Sequence, residues 1–155
     1  MKAISWISRG AALALFLTAT LAQAEVVNIG NGELNELLKQ GVPLVDLRTA
    51  GEWQQTGVVK GSQLITLFDE QGRANPQEWI GQLDKVAAPD KPVILICRTG
   101  NRTNTAAQFL SNKVGRKGTV YNVKAGITGW VREGQPVVSL QENLRQAGTS
   151  CSPKC

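Results

Sequence analysis

Histidine is absent from the 155-residue chain. Without an imidazole there is no Ser-His-Asp triad, no Cys-His pair and no His-ligated metal. A nucleophile in this chain has to be activated by backbone dipoles and cationic side chains. Aromatic residues are scarce, at 5%, and Lys and Arg form no long run. That leaves little to stack on bases or to track a phosphate backbone, which points away from nucleic acid as a partner. There are also few cysteines, three in all. No apolar run reaches the ~20 residues that a membrane-spanning helix needs.

The longest apolar stretch, residues 10–21, follows Lys2 and Arg9 and precedes Ala22-Gln23-Ala24. A positive start, a short apolar core and a small-x-small site make an export signal. Residues 1–24 are therefore predicted to be a leader cleaved after Ala24, with the product in the periplasm. No cysteine follows the site to take a lipid, so no stable membrane anchor is expected after cleavage. Loss of Lys2 and Arg9 would lower the formal charge from +5 to +3, leaving a mildly basic protein. The remaining length suits one ordinary domain, read as residues 25–140 followed by a polar tail, 141–155.

The most informative segment is Val93-Ile94-Leu95-Ile96-Cys97-Arg98-Thr99-Gly100-Asn101-Arg102-Thr103. An apolar strand delivers a cysteine into a short polar loop that opens a helix. Backbone N–H groups of such a loop and of the helix start converge on one spot and favour negative charge there. Arg98 and Arg102 add positive charge, and such surroundings favour the thiolate, the reactive form of cysteine. Cys97 is the candidate nucleophile. Arg98, Thr99, Gly100, Asn101, Arg102 and Thr103 are the candidate residues for binding a small anion. Arg102 stands five positions after Cys97, a Cys-x4-Arg spacing. That cradle is one residue shorter than the Cys-x5-Arg loop of cysteine phosphatases and suits a bound sulfur atom better than a phosphate.

Short apolar runs alternate with helical patterns along the chain. Strands are expected at 26–29, 43–46, 62–67, 93–96 and 119–123. Helices are expected at 32–40, 50–55, 76–86, 102–114 and 127–133, with an extended Val137-Val138 closing the domain. Alternation of this kind predicts a three-layer α/β domain with a five-stranded, mostly parallel sheet flanked by helices. Ligands in such sheets sit beyond the carboxyl ends of the strands. Cys97 falls there, and Asp46 and Arg48 fall at the same end of the second strand. That pair is expected to support the loops, bracing them by pairing with each other or with Glu52.

Four segments in order resemble the single-domain rhodanese family. Leu44-Val45-Asp46-Leu47-Arg48 with Glu52-Trp53 resembles its Asp-x-Arg strand end and Glu-aromatic pair. Gly57 through Gly61-Ser62 resembles its Gly-His-Ile-x-Gly-Ala segment. Residues 97–103 match a common form of its catalytic loop. Ala125-Gly126-Ile127-Thr128-Gly129-Trp130 and Gly134-Gln135-Pro136-Val137 match its closing pieces. The departures are Val58 where the family usually has His, Ser62 where it has Ala, and Ala125 where it has Gly. The resemblance implies a thiosulfate or persulfide sulfurtransferase that needs no metal or organic cofactor. Cys97 would take sulfur from a small anionic donor such as thiosulfate and pass it to cyanide or a thiol. A phosphatase or arsenate reductase on the same fold is the rival enzyme, and a non-catalytic redox or anion-binding module the rival of another class.

Cys151 and Cys155 close the tail. The simplest arithmetic pairs them and leaves Cys97 free. The pair is read as structural or incidental, as a redox pair or sulfur acceptor for Cys97, or as free or metal-binding thiols. A periplasmic redox protein is a further expected partner, since an exposed reactive thiol in an oxidising compartment needs protection or repair.

Overall fold

The computed structural model describes residues 24–147; the predicted leader up to residue 23 and the tail cysteines Cys151 and Cys155 lie outside the described residues. Five strands form one sheet: β1 (Val26–Ile29), β2 (Leu44–Asp46), β3 (Gln63–Leu64), β4 (Val93–Ile96) and β5 (Val120–Val123). Their spatial order is β1-β5-β4-β2-β3, with all four pairings parallel. The helices are α1 (Asn31–Lys39), α2 (Ala50–Thr56), α3 (Pro76–Val86), α4 (Asn101–Phe109), α5 (Gly126–Arg132) and α6 (Leu140–Gln146).

β4 is the middle strand, and all four of its side chains are buried. Its alternation divides the core, because successive strand residues point to opposite faces. Val93 and Leu95 join Val45, Leu47 and Val120 beneath Trp79 and Leu83 of α3 and Ala106 and Ala107 of α4. Ile94 and Ile96 join Leu44 and Val123 beneath Leu34 of α1 and Ile127 and Trp130 of α5. This is the three-layer α/β architecture expected from the sequence. The apolar spacing of 102–114 places Phe109 inside with Ala106, Ala107 and Leu110, but it is only half-buried.

Two elements differ from expectation. The third strand pairs regularly only over Gln63–Leu64, against the six residues predicted. Its partner β2 ends at Asp46, where Arg48 folds back onto the Asp46 carboxylate, so the ladder has nothing regular to follow. The chain stays tied alongside through Ile65 N–H to Asp46 O at 3.1 Å and Leu67 N–H to Leu47 O at 3.2 Å. The helix predicted to reach Val114 is α-helical only to Phe109, and Leu110–Val114 winds as a π-turn capped by Gly115. That wider turn places the Ser111 hydroxyl 2.7 Å from Ala24 O. Ala24 is 5% exposed within the core, and its N–H donates to Arg116 O at 2.7 Å.

A third, smaller cluster lies at one side. Trp53, Val58 and Leu140 are buried together, with Leu144 and Val138 against them. α6 thus extends into the segment read from sequence as tail. Val58, where a relative usually has His, is fully buried and forms an antiparallel bridge with Val138.

Candidate active site

Cys97 follows the last residue of β4, and Ile96 pairs with Asp46, so the loop and the Asp46–Arg48 pair leave the same edge of the sheet. The thiol is 1% exposed and is free. Gly100 N–H donates to Cys97 Sγ at 3.1 Å. The loop reaches this geometry because Gly100 takes φ +90°, the left-handed region that favours glycine. A Cβ on Gly100 would lie 2.1 Å from Lys124 O. The N–H groups of Arg98, Thr99 and Asn101 make no hydrogen bond within the described residues.

The other wall is the start of α5. Ile127 N–H donates to Cys97 O at 2.8 Å and Thr128 N–H to Arg98 O at 3.1 Å. This close approach needs Gly126, whose φ is +56° and whose Cβ would meet Cys97 O and Arg98 O at 2.5 Å. The helix start therefore holds the loop's carbonyls and turns its N–H groups inward.

Behind the sulfur runs a polar chain that crosses two strands. Cys97 Sγ lies 3.5 Å from Thr103 Oγ1, which donates to Gly100 O at 2.9 Å or to Asn122 Oδ1 at 2.5 Å. Asn122 Nδ2 in turn donates to Asn28 Oδ1 at 2.7 Å. Thr103 and Asn122 are both buried. A hydroxyl has one hydrogen and two lone pairs, so Thr103 can accept from the Cys97 thiol or turn its hydrogen to the sulfur once that is a thiolate.

Arg102 is bound to the protein by a two-point pair: Nη2 to Glu52 Oε1 at 2.6 Å and Nη1 to Glu52 Oε2 at 2.9 Å. Glu52 Oε2 also accepts Thr49 N–H at 3.1 Å, closing the capping box that starts α2. Burial raises the Glu52 carboxyl, but the Arg102 and Thr49 hydrogen bonds with the charges of Arg102 and Arg48 outweigh it and hold the group below its ordinary value. Arg102 is shifted up, by its hydrogen bond to Glu52 against desolvation, with the charges of Glu52 and Cys97 adding to it.

Arg48 and Asp46 are fully buried and paired with each other at 2.7 Å. The guanidinium also reaches Glu52 O at 3.4 Å, Thr56 Oγ1 at 2.5 Å and Gly57 O at 2.8 Å, so the pair stitches β2 to α2. Arg98, by contrast, is exposed and has no ion-pair partner among the described residues. The sequence-predicted loop residues and the Asp46–Arg48 pair therefore lie at one edge. Glu52 as the partner of Arg102 and Asn122 behind Thr103 were not singled out beforehand. They stand 50 and 19 residues from those partners, and a capping-box Glu or a strand Asn carries no sign of such contacts.

A doubly covered parallel sheet with a cysteine in a glycine loop at the carboxyl end of its middle strand defines a cysteine-centred α/β domain. The chain belongs to the rhodanese-like family, whose model matches residues 31–133. A sulfurtransferase of Allochromatium vinosum is 30% identical over 100 residues, covering 64% of this chain and 81% of its own. Thiosulfate sulfurtransferase 18 of Arabidopsis thaliana is 25% identical over 130 residues, covering 81% and 93%. Among solved structures, Rv0390 of M. tuberculosis superposes with a TM-score of 0.60 at 25% identity, covering 73% of this chain and 97% of that one.

Proposed function

We propose that the protein is an exported thiosulfate sulfurtransferase working through a Cys97 persulfide. The observation that carries this reading is the Gly100 N–H aimed at Cys97 Sγ at 3.1 Å, in a loop whose neighbouring N–H groups are unspent. In the first step the Cys97 thiolate attacks the outer sulfur of thiosulfate. The S–S bond of the donor breaks, sulfite leaves with the electron pair, and sulfur stays on the enzyme as Cys97–S–S⁻. In the second step cyanide or a thiol attacks that outer sulfur and Cys97 leaves as thiolate. Splitting one transfer into two displacements lowers each barrier, and preorganised N–H donors stabilise the anionic sulfur without reorganising.

The burial of Cys97 favours a donor that presents a single slim atom, as thiosulfate does. Arg98 attracts the dianion, while Arg102, committed to Glu52, keeps the loop closed. Residues 1–24 are the leader in this reading, the site of action is the periplasm, and a periplasmic redox protein maintains the thiols of Cys97, Cys151 and Cys155.

Intact mass before and after thiosulfate tests the proposal. A gain of about 32 Da, lost on adding cyanide and absent in Cys97→Ser, is expected of a covalent carrier. No gain with a reactive Cys97 would remove thiosulfate as donor.

A further inference from the structure

A cavity of about 600 Å³ opens between α2 and α5, beside the Cys97 loop. Its walls are mostly apolar, and Ile127, Val131, Gln55 and Thr56 line it together with Arg98 and Arg132. We infer that this cavity is the subsite for an anionic organic thiol, the acceptor that unloads the Cys97 persulfide; the inference rests on the sulfur-transfer reading above.

Charge comes first. Three ionised groups line the cavity besides Arg132: Arg48, Glu52 and Arg98, and Arg102 reaches Glu52 from the start of α4. Arg48 is neutralised by Asp46, and Glu52 by Arg102. The uncompensated charges are those of Arg98 and Arg132, neither of which has an ion-pair partner among the described residues. Two unpaired guanidinium groups at one cavity favour a carboxylate or a similar anion, which either binds through two hydrogen bonds.

Shape and polarity come second. An inorganic anion has no use for an apolar wall. Val131 is nonetheless 48% exposed, one of only a few large apolar side chains left so open among the described residues. A volume of this size matches sites for organic molecules rather than single ions. A second cavity, about 560 Å³ and lined by Thr99, Asn101 and Arg102, lies on the polar side of the Glu52–Arg102 pair and lacks such a wall. The apolar cavity thus fits a molecule with a hydrocarbon stem and an anionic end.

Position comes third. The wall of α5 is bonded directly to the nucleophile's backbone through Ile127 N–H to Cys97 O at 2.8 Å. In the loaded enzyme the transferred sulfur stands about 2 Å beyond Sγ, one S–S bond length out. An acceptor held at the rim of the loop therefore meets the sulfur it has to take without entering the buried pocket. The acceptor thiol R–S–H attacks the outer sulfur of Cys97–S–S⁻. A bond forms between those two sulfurs, the Cys97 S–S bond breaks with its electron pair returning to Cys97, and the thiol's proton ends on the transferred sulfur. The products are R–S–S–H and the Cys97 thiolate, and no oxidant enters.

The test uses the full chain, thiosulfate as donor and three acceptors: cyanide, 2-mercaptoethanol and 6-mercaptohexanoate. The wild-type KM for 6-mercaptohexanoate is expected to lie about tenfold below that for 2-mercaptoethanol, the gain from one charge-assisted contact and a buried stem. Arg132→Ala and Val131→Asp are each expected to raise the KM for 6-mercaptohexanoate about fivefold to tenfold relative to that for cyanide. Arg132→Lys should restore part of the difference. Both positions are exposed, so the variants are expected to fold. Equal KM values for the two thiols, or variant effects shared equally by cyanide, would overturn the subsite while the mass gain on Cys97 still stood. Absence of the mass gain would instead remove the sulfur-transfer reading beneath it.

Discussion

At the scale of single residues, Gly100 holds the site together. Its N–H is the loop donor that reaches Cys97 Sγ, and its backbone lies against Lys124 at a distance that admits no Cβ. Gly100→Ala combines a left-handed backbone conformation with that collision. It should cost at least about 2 kcal/mol in urea denaturation and abolish the thiosulfate-dependent mass gain, because any relief of the collision turns the N–H away from sulfur. A drop in stability with normal sulfur loading would show that the donor is dispensable. Cys97 and its loop were legible in the sequence because strand, cysteine, glycine and helix follow one another within a few residues. Asn122 was not legible, since an asparagine in a strand pattern carries no sign that a neighbouring helix will place Thr103 against it.

At the scale of elements, α2 acts as a clasp. Thr49 and Glu52 start it with a capping box, and the same Glu52 carboxylate holds Arg102 at the start of α4. Helix initiation and loop closure therefore share one titrating group. The folded Glu52 ionises below its ordinary value near 4.5. The stabilisation it gives is thus fully present above that ordinary value and is lost as pH falls through the lower folded value. In a carboxyl NMR titration Glu52 should titrate below 4.5, and in Arg102→Ala it should move upward, as burial then acts with less opposition. A Glu52 midpoint unchanged by Arg102→Ala would contradict the pairing. Helices α3 and α4 were legible through their apolar spacing and the Pro at the first turn of α3. The third strand was overextended because its residues are apolar enough for a strand, yet its length is set by where β2 stops. The π-turn at Leu110–Val114 closes on Gly115 at φ +71°, and nothing in the apolar spacing of this segment separates a wider turn from a continued α-helix.

At the scale of the whole molecule, α6 straps the chain end back over the open edge near β3. Asn143 accepts from Gly61 N–H at 2.8 Å and donates to Ser62 O at 2.9 Å, while Leu140 and Leu144 pack on Trp53 and Val58. Asn143→Ala leaves a backbone donor and a buried carbonyl unpaired. It should destabilise the domain by about 2–3 kcal/mol in urea denaturation with sulfur loading retained, as Asn143 belongs to neither the loop nor the cavity. A shift well under that would mean the strap is held by its leucines alone. The parallel α/β plan could be read from the order of apolar runs, and a short helix through Leu144 at the start of the tail, whereas the docking of that helix could not, because its anchoring residue is a polar one in a polar segment. The opposite end of the chain carries a matter of timing. Ala24 N–H is held by Arg116 O, Ala24 O by the Ser111 hydroxyl, and Glu25 O by Val120 N–H. A peptidase that removes a leader after Ala24 needs that peptide bond in a free, extended stretch, and the closed domain withholds it on both sides. Processing and closure then compete for the same few atoms. Under the export reading proposed above, the cut has to come first, while β1 is still unzipped from β5. Ala24 then leaves with the leader, together with its bonds to Arg116 and Ser111.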